Sequence, residues 1–138
     1  MSSHEVRKPA EIYIIDWEYA QHGHHAFDLG QMIADLLERH HFAHSMLALE
    51  TMQGFVKGYG EISEDLALRT AIHTGAHMIG WYTRRNPNSP LPAPLDVATE
   101  FMQMAALFIV KAWEKDTDWF LESPLKCLFE MIPSKCSG

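Results

Sequence analysis

The chain has 138 residues, 47% of them hydrophobic, which is enough for one sizeable core and leaves little room for a second domain. Lys and Arg number 11 against 18 Asp and Glu, giving a net charge of −7 without any basic stripe. That balance excludes nucleic acid and anionic membrane as default partners.

Two cysteines, Cys127 and Cys136, are too few for a disulfide framework and read as reduced thiols. No apolar run approaches the roughly 20 residues that span a bilayer. Residues 1–10 are polar with mixed charge, unlike a secretory signal, and are expected to be flexible. A cytoplasmic protein is the expectation.

In chain order, residues 11–15 are an apolar run after Pro9, rich in β-branched and aromatic side chains, and predict a short strand. From Asp28 the period becomes helical, with Leu29, Met32, Ile33, Leu36 and Leu37 on one face and Asp28 as an acceptable N-cap. A second helix is predicted from about Ser45 to Tyr59, with Leu49, Met52, Val56 and Tyr59 inward and Gly58 and Gly60 at its end. Ser63, with Glu64 and Asp65 behind it, opens a third, whose inward face is Leu68, Ile72, Gly75, Ile79 and Tyr82.

The stretch 86–94 holds Pro87, Pro90, Pro92 and Pro94, which remove amide donors and force a loop. A fourth helix is predicted over Leu95 to Lys115, and one or two short closing helices from Trp119 to Met131. The inventory is mainly α: one N-terminal strand or hairpin and four to five helices over residues 28–131, within a single domain 1–138. A lone strand needs a partner for its backbone groups, and this sequence barely supplies one.

The run Ile14-Ile15-Asp16-Trp17-Glu18-Tyr19-Ala20, then Gly23, then Phe27-Asp28-Leu29-Gly30, resembles the aminoglycoside phosphotransferase and choline kinase family. The helical remainder resembles fungal members of that family. The resemblance is strongest over residues 12–37 and general in pattern from 45 to 131. It implies a partial protein-kinase-like C-terminal lobe and ATP- and Mg²⁺-dependent phosphoryl transfer to a hydroxyl. It also implies that Asp16 matches the metal-binding Asp of the kinase D-F-G motif and so holds Mg²⁺ with its nucleotide. Asp28 becomes a structural acid bonding the amides of a neighbouring catalytic loop, with Glu18 in support. Mg²⁺ takes hard oxygen ligands, commonly one or two carboxylates completed by phosphates and water, so one well-aimed Asp suffices on the protein side.

Kinases of this type also use a His-x-Asp-x-x-x-x-Asn loop, whose Asp accepts the hydroxyl proton. No such pattern occurs here; the asparagines are Asn86 and Asn88, both in the proline-rich stretch. His22-Gly23-His24 has His where the acid belongs, and Leu29 stands where the Asn belongs. No counterpart of the N-terminal lobe is visible either. The expectation is therefore a C-terminal fragment that is inactive alone, with no catalytic residue of its own. Its acceptor is open among aminoglycoside, choline, methylthioribose, homoserine and protein. Self-association through an exposed lobe interface is open too, as is a non-catalytic reading as a helical interaction module or pseudokinase remnant.

Histidines cluster at His22, His24 and His25 and at His40, His41 and His44, while His73 and His77 stand one helical turn apart. The last pair has zinc-ligand spacing, but no His-Glu-x-x-His pattern accompanies it. Polar helix-face and turn histidines are the simpler reading. Trp81, Phe101, Phe108, Trp113 and the helically spaced methionines read as core. Arg84 and Arg85 read as charges compensating a helix end, and Glu114 to Asp118 as a solvated face.

Overall fold

A computed structural model describes residues 9–134, so Cys136 and most of the expected flexible start lie outside the described residues. The fold is mainly α, with helices α1 (His25–Ala43), α2 (Met46–Tyr59), α3 (Glu64–Arg84), α4 (Leu95–Trp113), α5 (Thr117–Leu121) and α6 (Lys126–Phe129). Helix α3 lies between α1 and α4, α2 packs on the other side of α1, and α5 and α6 close the end formed by α4 and α2.

The strand expected over residues 11–15 does not form, and no strand occurs among the described residues. Strand formation requires ladder partners, and Ile12 (89% exposed) through Ile15 run alongside none. The segment instead leads into a 3₁₀ turn, Trp17–Tyr19, closed by Tyr19 N–H donating to Asp16 O at 3.0 Å.

Helix α1 begins earlier than its apolar period suggests. His24, not Asp28, is the cap: its Nδ1 accepts from Ala26 N–H at 3.1 Å, which puts Asp28 inside the first turn. Ser63 opens α3 as expected, its Oγ accepting from Leu66 N–H, and Ser45 proves to be the cap of α2, its Oγ accepting from Ala48 N–H, each at 3.1 Å. Gly60, at φ 99°, ends α2. The proline-rich stretch is a loop, held to the end of α3 by Arg85. That guanidinium lies 4.5 Å over the Tyr82 ring and donates to Ser89 O at 3.2 Å.

The core joins Ile33 and Leu37 of α1, Met52 and Val56 of α2, Met78 of α3, and Phe101 and Phe108 of α4 to Phe120, Leu125 and Leu128. Phe42, Trp81 and Phe101 form an aromatic group where α1, α3 and α4 meet, with Phe42 stacked on Trp81 at 4.6 Å. Trp113 departs from the expected core: it is 80% exposed at the end of α4. Tyr59 and Tyr82, expected to face inward, are about half exposed.

The run Glu114 to Asp118 is more than a solvated face. Lys111 Nζ lies 3.3 Å from Asp116 and 3.5 Å from Glu114, and Asp116 caps α5 through Trp119 N–H. Among the described residues no helix is long and apolar enough to cross a membrane.

Candidate functional site

Asp16 sits at φ 62°, ψ 38°, a left-handed conformation that a non-glycine residue adopts at a cost and that Asp tolerates better than most. It stands at the N-terminus of the 3₁₀ turn but its side chain does not cap it. Its carboxylate is exposed. Glu18 is exposed within the same turn.

Asp28, Leu29 and Gly30 leave α1 in three directions. Leu29 enters the core, and Gly30 is buried against α3, where a Cβ would lie 2.6 Å from His73 Cβ. Asp28 faces a cleft of about 520 Å³ shared with Tyr19, His24, Phe27, Gln31 and His73. The turn that follows Asp16 thus borders the cleft through Tyr19, while Asp16 itself is not among its walls. The structure brings Asp28 to the neighbourhood of the Asp16 turn and leaves the two carboxylates with separate surroundings. Negative charge at Asp28 also suits the positive end of the α1 dipole.

The cleft continues along the α1–α3 seam. A smaller cavity of about 250 Å³ shares Phe27, Gln31 and His73 with it and adds His77 and Arg84. His77 Nε2 lies 3.0 Å from Asp35 Oδ1 across the two helices, and Arg84 Nη1 donates to His77 O at 3.4 Å. Glu38, one turn after Asp35, has its carboxyl pushed above its ordinary value, chiefly by burial and next by the Asp35 charge; Arg84, His77 and Arg39 oppose that shift.

A carboxyl raised in the folded state binds its proton more tightly there than in the unfolded chain. Glu38 therefore contributes stability below its ordinary value of 4.5, and that contribution is lost as pH rises through the raised folded value. Glu38→Gln should melt higher than the parent at neutral pH, with the gap closing toward acid. Thermal melts of both proteins across that range check it, and a gap that stays constant with pH would contradict the assignment.

Several histidines are committed to the scaffold in ways their spacing does not disclose. His41 Nε2 lies 2.7 Å from Val97 O and ties the end of α1 to the first turn of α4. His40 Nδ1 lies 3.3 Å from Ser45 O, and His25 Nδ1 3.1 Å from the Tyr59 hydroxyl. His73 meets the Phe27 ring edge-on at 5.8 Å while His77 turns to Asp35, so the pair with ligand spacing serves two different contacts. Among the described residues no three His, Cys, Asp or Glu side chains come close enough to share a metal ion. A cation at Asp16 would take its other ligands from phosphate and water, which is how Mg²⁺ is commonly held.

A roomier cavity, about 790 Å³, lies elsewhere, between α2 and α6, and includes Lys57, Lys126 and Cys127. Cys127 is a free thiol that burial pushes above its ordinary value, which makes it a poor nucleophile.

No protein-family model matches the chain, and no solved structure does. Among curated proteins, the chain is similar to Phosphotransferase FrzJ of Cladobotryum sp, with 29% identity over 105 residues. The match covers 76% of this chain and 26% of that protein, so the chain spans about a quarter of the relative's length.

Proposed function

We propose that this chain supplies the metal-holding Asp and the helical floor of a small-molecule phosphotransferase of the aminoglycoside phosphotransferase and choline kinase type. The similarity to a phosphotransferase over 76% of the chain carries the reading. The uncommitted left-handed Asp16 and the cleft-facing Asp28 support it. Mg²⁺ bound with ATP would offset the charge that moves between phosphate oxygens during transfer. Asp16 holds that ion, and Asp28 presents its carboxylate to backbone amides of a segment laid over the cleft. The sequence has no His-x-Asp-x-x-x-x-Asn element, so the general base comes from residues that this sequence does not include.

Two results are expected from the purified chain. Mn²⁺ added with ATP should broaden amide NMR signals around Asp16 to Tyr19, and Asp16→Asn should abolish that localised broadening. No phosphoryl transfer to a small hydroxylated acceptor should occur with Mg²⁺ and ATP alone. Broadening that is the same in Asp16→Asn would remove Asp16 from the reading. Turnover by the isolated chain would overturn the division of labour.

A second reading, a non-catalytic interaction module, is favoured by the exposed apolar arm Ile12 to Ile15, which would bind a partner by strand addition. The in-frame coding sequence upstream separates the two: a His-x-Asp-x-x-x-x-Asn codon pattern there supports the enzyme, and stop codons support the module.

A further inference from the structure

Helix α4 has two apolar faces, and the fold uses one. Ala98, Phe101, Ala105, Phe108 and Ala112 are buried toward α3 and the closing helices. About a third of a turn away, Thr99, Ala106 and Trp113 recur at intervals of seven and so fall on one line, since two turns of helix take about 7.2 residues. Met102 and Val110 flank that line. Trp113 is 80% exposed, Leu95 70% and Val110 49%.

The N-terminal half of this stripe is hollow. An open cavity of about 310 Å³, walled almost entirely by apolar groups, is lined by Tyr82, Leu91, Leu95, Thr99, Met102 and Ala106. Its C-terminal half projects the exposed indole. Knob and hole thus lie on one face of one helix, and Ala106 stands seven residues from Thr99 and seven from Trp113.

We propose that this face is the interface of a homodimer, in which two α4 helices cross antiparallel about a two-fold axis at Ala106. Position i then faces position 212 − i of the other copy, because Ala106 faces itself. Trp113 of each copy meets Thr99 of the other, at the cavity, and Val110 meets Met102. A two-fold interface must be self-complementary in this sense. The small Ala106 on the axis lets the helices approach closely enough for the indoles to seat.

The two indoles alone would leave on the order of 300–400 Å² less apolar surface in water. Leu95, Val110 and Tyr82, each about half exposed or more, add to that area, against the roughly 1,200 Å² at the low end of specific interfaces. The polar rim fits the same picture: Asp96 and Glu100 lie beside the stripe, and Gln103 is a polar wall of the cavity. This inference does not depend on the phosphotransferase reading.

The test is sedimentation equilibrium of the full chain with Trp113→Ala and Ala106→Glu, both at exposed positions, with far-UV circular dichroism confirming unchanged helicity. The parent should dimerise, and each variant should raise the dissociation constant about 30-fold or more, the loss expected from a buried aromatic anchor. Under mild oxidant, Ala106→Cys should cross-link into a covalent dimer, because the two sulfurs face each other on the axis, whereas Gln53→Cys on α2 should not. A monomeric parent, or a dimer indifferent to both α4 variants, would overturn the proposal. So would a dimer abolished by Ile14→Asp but retained in Ala106→Glu, which assigns association to the N-terminal arm instead.

Discussion

Phe120→Ala is expected to destabilise the chain by about 3–5 kcal/mol and to lower its melting temperature by roughly 10–20 °C. The side chain is fully buried, stacked on Phe129 with ring centroids 4.1 Å apart and planes 4° from parallel, and edge-on to Trp119 at 5.0 Å. Truncation removes the ring's transfer free energy, leaves a cavity that Phe108 and Phe129 can fill only in part, and forfeits the aromatic pairing.

The effect is large because of what the ring holds. Helices α5 and α6 have five and four residues, far below the length at which an isolated helix persists in water. Besides packing, this end is joined to the rest by the Lys111–Asp116 ion pair at the cap of α5 and by the bond from Ile62 N–H to Met131 O at 3.1 Å. Hydrogen exchange should therefore show residues 117–131 losing protection first in Phe120→Ala, with α1 and α3 following only near the global transition. Phe120→Leu should recover much of the loss. Uniform loss of protection along the chain would mean that the closing helices are not a separable unit.

How much of this was legible beforehand depended on whether the signal was local. Ser45, Ser63, Gly60 and the prolines of 86–94 act on backbone groups within a few residues, and each does what its chemistry dictates. The 11–15 run failed for the opposite reason. Strand propensity describes a fit to neighbours, and among the described residues these have none. Trp113 reads as core from its residue type, although its position on α4 aligns with Ala106 and Thr99, off the Phe101–Phe108 face.

The candidate site divides in the same way. Asp16 and Asp28 could be picked out by motif resemblance, but the left-handed backbone at Asp16 and the cleft beside Asp28 depend on the turn and on α3. His24 as a cap, His41 against Val97 O and His77 against Asp35 were illegible because their partners lie across the fold or break the usual capping preferences. In one dimension Gly30 stands out only as the last residue of the Phe27-Asp28-Leu29-Gly30 motif. In three it is where two helices touch.

That contact sets up a contrast in sign. Alanine is normally better than glycine within a helix by about 0.5–1 kcal/mol. Gly54→Ala and Gly58→Ala on α2, where an added Cβ meets nothing within 4 Å, should follow that rule and stabilise the chain. Gly30→Ala and Gly75→Ala should reverse it. At Gly30 the new carbon would lie 2.6 Å from His73 Cβ and 2.9 Å from Thr74 N. At Gly75 it would lie 2.5 Å from Ala105 O and 2.8 Å from Ile109 Cγ1.

Three of those four neighbours are backbone or Cβ atoms, which no rotamer change can withdraw, so the helices must separate. Overpacking of this kind costs about 1–3 kcal/mol at each site. The double variant should exceed the sum of the two, because α3 is the shared helix. Moving it off α1 to relieve Gly30→Ala drives it toward α4, where Gly75→Ala has removed the clearance. Against a total stability of about 5–15 kcal/mol, the pair leaves little margin. Urea titrations of the four single variants and the double variant measure the whole pattern. Gly30→Ala or Gly75→Ala behaving like Gly54→Ala would show that α3 does not lie this close to its neighbours. The cleft beside Asp28 would then need redrawing too, since His73 forms one of its walls.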